Sequence, residues 1–75
     1  MVEVGGVYRH FKTGNTYRVV ALGKHSETLE DMVVYEAQYE NPISSIWVRP
    51  QGMFEEKTEW PKGSGILVAR FERIK

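Results

Sequence analysis

Apolar and polar residues alternate with a period of two along most of this chain, and no segment sustains a period near 3.6. VYRHF (7–11) reads as a first strand, introduced by Gly5-Gly6 and followed by a Thr13-Gly14-Asn15 hairpin turn, where glycine and asparagine tolerate positive φ. TYRVVAL (16–22) is a second strand, rich in β-branched and aromatic residues. A polar loop (23–31) leads to MVVYEAQYE (32–40), the clearest strand. There Val33, Tyr35, Ala37 and Tyr39 share one face, and Glu36, Gln38 and Glu40 the other. Asn41-Pro42 opens a turn. SIWVR (45–49) is a fourth strand, stopped by Pro50, and QGMFEE (51–56) reads as one 3₁₀ or helical turn with Met53 and Phe54 beneath it. Residues 57–65 are expected to be a loop, holding Trp60-Pro61 and Gly63, Ser64 and Gly65, and ILVARFERI (66–74) the last strand.

Five short antiparallel strands joined by short turns predict an all-β fold, a small meandering barrel, as one domain over residues 1–75. Closing the sheet protects its edges and sets the first and last strands side by side. A chain of 75 residues buries only about 60% of the surface its unfolded form exposes, so the core is thin and any site is shallow.

Composition narrows the class. There is no cysteine, which suits a cytoplasmic location and excludes thiolate zinc sites. MVEVGGVYRH lacks the basic and apolar regions of a signal peptide, and no apolar run approaches the roughly 20 residues of a membrane span. The net charge of zero is unevenly spread. Residues 1–25 carry Arg9, Lys12, Arg18 and Lys24 against Glu3; residues 61–75 carry Lys62, Arg70, Arg73 and Lys75 against Glu72; the segment between is strongly acidic. With the two ends paired, a basic side opposite an acidic side is expected.

The order Tyr8-Arg9-His10-x-Lys12, Tyr17-x-Val19, His25-Ser26-Glu27-Thr28, Val33-Val34-Tyr35, Trp47-Val48-Arg49-Pro50, Met53-Phe54 and Arg70-Phe71 closely resembles a bacterial family of small proteins, the domain-of-unknown-function family DUF1653. The likeness runs from about residue 6 to residue 74 and implies an SH3-like β-barrel. It departs at Gly23, where alanine is expected, and in the longer turn Asn41–Ser45. It brings no activity with it.

The polar residues of that signature admit three readings. In the first they are structural: Ser26 and Thr28 bond nearby amides, His25 fixes its loop, and Glu27 pairs with Arg49 or Lys24. In the second, His10, Lys12, His25, Glu27 and Arg49 form a ligand-binding site walled by Trp47. There Arg49 takes an anionic group and Glu27 orients Arg49 or His25. The third is metal binding or catalysis by His10, His25 and Glu27. Against catalysis, there is no phosphate loop, nucleophile elbow or paired-carboxylate spacing, and His25 and Ser26 diverge on an extended chain. The second reading is adopted: a non-enzymatic recognition module with no catalytic residue, metal or cofactor. Its expected partner is a protein or peptide. A small anionic or nucleotide-like ligand, RNA or single-stranded DNA is the alternative, and weak self-association of basic on acidic sides is a further expectation.

Overall fold

The structure is a computed structural model and describes residues 2–75. The elements, in chain order, are β1 (Val7–His10), β2 (Thr16–Lys24), β3 (Asp31–Ala37), β4 (Ile46–Pro50), α1 (Gln51–Phe54), β5 (Lys57–Glu59), β6 (Leu67–Ala69) and β7 (Phe71–Arg73). β1, β2, β3, β4 and β7 make one antiparallel sheet in the order β4-β3-β2-β1-β7, and β5 pairs with β6 in a separate ribbon. The first and last strands are neighbours, with Tyr8 opposite Arg73 and His10 opposite Phe71.

The alternation on β3 holds for its apolar face, while Glu36, expected to face water, is half-buried. Val33, Tyr35 and Ala37 are buried while Gln38 and Glu40, just beyond the strand, are exposed. The same logic turns Trp47 inward on β4 and leaves Ile46 and Val48 on the outer face. Val2, Tyr8, Val19, Val33, Tyr35, Phe54 and Phe71 make one core cluster, with Tyr17 and Trp47 packed against it. α1 is too short to be stable as an isolated helix. It holds because Phe54 is fully buried, stacked on Phe71 at 4.2 Å between ring centres and 3° between planes, and met edge-on by Tyr8.

Two glycines are required by local geometry. Gly14 sits at φ 76° in the β1–β2 turn, where its N–H donates to the His10 carbonyl. A Cβ on Gly6 would lie 3.0 Å from the Tyr8 ring and 3.1 Å from the Glu3 carbonyl oxygen.

Several features differ from the sequence expectation. Met53, expected beneath the α1 turn with Phe54, is 49% exposed. The barrel is not closed by hydrogen bonds, because β4 and β7 are the two ends of the sheet and do not pair. Side chains bridge the gap between them, with Arg49 of β4 over the Phe71 ring of β7. The segment expected to be a loop (57–65) contains β5, which finds its partner in β6. The last strand breaks at Arg70, whose N–H donates to the Glu56 carbonyl and whose carbonyl accepts the Phe11 N–H, so the chain passes there from the ribbon to the main sheet. The alternation of β2 slips between Val19 and Ala21. Val19 faces Tyr35 on the buried side, and after the bulge Leu22, rather than Ala21, faces Val33.

The expected basic side is also blunted. Arg9 pairs with Glu72 at 2.7 Å, Arg73 with Glu3 at 2.9 Å and Arg70 with Glu56 at 3.4 Å, so these cations of the chain ends carry their own carboxylates. Such exposed pairs contribute little to stability.

Candidate functional site

Of the six residues of the sequence-derived site, the structure brings His10, Trp47 and Arg49 together, leaves Lys12 outside their concavity and sets His25 and Glu27 apart. His10 ends β1 and lies beside the Thr16 end of β2, whereas His25 follows Lys24 at the other end of that strand. Nine strand residues at about 3.3 Å each put roughly 25–30 Å between the two levels. His25 and Glu27 therefore do not join His10.

The His25 loop turns back on itself. The imidazole Nδ1 of His25 accepts the backbone N–H groups of Glu27 (3.1 Å) and Thr28 (3.2 Å). The His25 N–H donates to the Glu30 carbonyl and its own carbonyl accepts the Leu29 N–H. Thr28 Oγ1 takes the Glu30 N–H at 3.3 Å. Lys24 pairs with Asp31 rather than with Glu27. The arrangement satisfies amides that a tight loop leaves without strand partners, which is the structural reading of this motif.

His10, Trp47 and Arg49 do come together. They line a concavity of about 240 Å³ whose remaining walls include Tyr17, Tyr35 and Phe71. None of the residues lining it is acidic. Trp47 is fixed by its indole N–H, which donates to the Ser44 carbonyl at 3.0 Å. Tyr17 and Tyr39 share a hydroxyl–hydroxyl bond of 2.8 Å, and Asn41 Nδ2 donates to the Tyr39 oxygen at 2.9 Å. Burial, reinforced by the Tyr39 bond, pushes the Tyr17 hydroxyl up to about 12. The wall it forms stays neutral at any physiological pH.

Arg49 is the charge in this concavity. Its guanidinium carbon lies 5.3 Å from the centre of the Phe71 ring. Among the described residues no carboxylate lies within ion-pair distance of it. Its donors are thus available to a planar anion, which an arginine fork binds bidentately. His10 sits alongside, stacked on Phe11 and edge-on to Phe71. Its Nδ1 accepts the Lys12 N–H at 3.2 Å, so the neutral ring carries its proton on Nε2. Partial burial, and then the positive charges of Arg49, Arg70 and Lys12, hold its pKa below the ordinary 6.5. At neutral pH the concavity offers one fixed positive charge, one neutral N–H donor and aromatic walls.

Lys12 stands just outside, with its Nζ 6.0 Å from the Trp60 ring. Among the described residues no group of three or more His, Asp or Glu side chains is placed to hold a metal ion, and no helix is long and apolar enough to cross a membrane.

The sequence profile described as "Protein of unknown function (DUF1653)" matches residues 6–73. The chain belongs to the DUF1653 family. A crystal structure of another DUF1653 protein, from Bordetella bronchiseptica, is similar to it at 30% identity with a TM-score of 0.80, over 96% of this chain and 87% of that one. No curated relative matches at a significant level.

Within this DUF1653 chain, sequence reasoning missed Phe71 and Tyr17 as walls of the concavity. Both sit at inward positions of ordinary alternating strands, and nothing local marks such a residue as lining a surface hollow. The β1–β7 pairing, which sets His10 opposite Phe71, brings Phe71 to the hollow, and the β1–β2 pairing, with Tyr8 opposite Tyr17, brings Tyr17.

Proposed function

We propose that this protein is a non-enzymatic cytoplasmic recognition module that takes a peptide segment of a partner protein, with a carboxylate of that segment on Arg49. The observation that carries this reading is a half-buried arginine with no carboxylate partner among the described residues, set in a concavity with aromatic walls and no acidic lining. Desolvated by those walls, a charge-assisted pair to arginine is stronger than the same pair in open water. Trp47 and Tyr17, both half-buried, supply the apolar surface on which the rest of the segment rests.

A second reading draws on the same walls. Rings flanking a cation also stack nucleobases and hold phosphate, so a nucleotide or a single strand of nucleic acid is the alternative occupant. An amide chemical-shift titration against acidic peptides, mononucleotides and short oligonucleotides separates the two. The peptide reading expects shifts at His10, Trp47 and Arg49 with acidic peptides, only weakly dependent on salt, and their loss in Arg49→Gln. Binding of oligonucleotides that falls steeply with added salt favours the second reading. Silence at those three residues in every titration removes both.

A further inference from the structure

A second concavity, of about 300 Å³, adjoins the first. His10 lines both and forms the partition between them. The second is walled by Phe11, Trp60, Val68 and Ala69, and the charges on it, Arg9 and Glu72, neutralise each other. Its character is therefore apolar, where the first is cationic.

Trp60 is held out as a rigid surface. It is 41% exposed and meets Phe11 edge-on at 5.5 Å. The Glu59 carboxylate next to it accepts the N–H groups of Gly63 (2.7 Å) and Gly65 (2.9 Å), and the Trp60 N–H donates to the Ile66 carbonyl (2.9 Å). A large ring ordered before binding loses little freedom when a partner covers it, which is the character of an interface anchor.

The two concavities are linked by a continuous run of contacts. Steps of 5.0 Å from Phe11 to His10, 5.2 Å from His10 to Phe71 and 5.3 Å from Phe71 to the Arg49 guanidinium place Phe11 and Arg49 within about 15 Å, a span an extended chain covers in about five residues.

Resting on the peptide reading above, we infer that the partner segment is an extended peptide held at two points. An acidic group sits on Arg49, and an apolar side chain fills the hollow beside Trp60, within about five residues of that acid. The charge pattern supports this occupant: Arg49, with no carboxylate partner among the described residues, lies at one end, and the self-neutralised apolar hollow at the other.

The test uses fluorescein-labelled hexapeptides in a Gly/Ser background carrying one Asp and one Leu at varied spacing, measured by fluorescence polarisation. Peptides with both residues are expected to bind, and loss of either to weaken binding by at least about tenfold. Trp60→Ala is expected to abolish the advantage of Leu and spare the dependence on Asp; Arg49→Gln is expected to do the reverse. If Trp60→Ala and Trp60→Phe both leave the Leu peptides unaffected while Arg49→Gln abolishes binding, the two-point hold is wrong and the Arg49 reading stands. If no Asp peptide binds, both fall. If labelled ten-residue oligo(dT) binds through Arg49 and Trp60 with a steep loss on adding salt, a single strand replaces the peptide as occupant.

Discussion

The guanidinium of Arg49 on β4 lies 5.3 Å from the ring centre of Phe71 on β7, although these strands are the two ends of the five-stranded sheet. In a flat sheet they would stand four strand spacings apart, about 19 Å, well beyond the combined reach of the two side chains. The sheet is therefore coiled until its edges face each other, and the seam is bridged by a cation over a ring instead of by amide pairs. The site and the closure of the fold are the same contact.

This coupling predicts the behaviour of His10. Replacing Arg49 by Gln removes a positive charge that helps hold the imidazole pKa down, so the His10 pKa should move up toward 6.5 in an NMR titration. An unchanged value would mean that Arg49 does not sense the ring. In the wild type the lowered pKa means that the unfolded chain binds the proton more readily. The stability His10 contributes is complete above pH 6.5 and is lost as pH falls through the folded value. An anion bound at Arg49 favours the imidazolium, so affinity for acidic peptides should rise over that same acid range.

Phe54→Ala tests the seam from inside. Phe54 is 1% exposed and stacked on Phe71, and truncating a buried phenylalanine costs about 3–5 kcal/mol. A domain of this size has little stability to spare. Urea titration should show a midpoint near zero denaturant, and a loss below about 1 kcal/mol would contradict the packing described.

His25→Ala should separate loop from site. Removing the acceptor for two amides should cost about 1 kcal/mol by thermal or urea unfolding and leave every ligand titration at Arg49 unchanged. A change in ligand affinity without a stability loss would return His25 to the site.

Glu59→Ala should free the loop that holds Trp60. The amides of Gly63 and Gly65 lose their shared carboxylate acceptor, and their hydrogen exchange should accelerate selectively, with amides of β2 and β3 unaffected. Equal exchange in both proteins would mean that the loop is held by its backbone bonds alone.

Much of the fold was legible because period-two alternation is a local signal. Val33, Tyr35 and Ala37 could be grouped on one face from their spacing, whereas the inward turn of Trp47 could not be read, because Ile46 and Val48 make the opposite face of its strand equally apolar. β5 was not legible either, because Lys-Thr-Glu has no apolar face of its own and forms a strand only through Leu67–Ala69. The grouping around the candidate hollow was half legible. Arg49, His10 and Trp47 were picked out by residue type, but His25 and Glu27 were grouped with them, because the family signature places residues along the chain and carries no distance between them. The self-bonding of His25 depends on backbone bends around Leu29, which takes φ 62°, and that conformation leaves no mark in the pattern of polar residues.

The slip in β2 has a further consequence. β2 is the middle strand of the five, and an extra residue on one side of a ladder bends it and sharpens its twist. The surplus position, Val20, adds to the curvature that carries Arg49 to Phe71, and it is not among the residues lining the hollow. Losing one codon there would keep every residue that lines the hollow in the sequence and still shift the register of β2 against β3, so that the shape of the hollow depends on chain length at one point as well as on its lining.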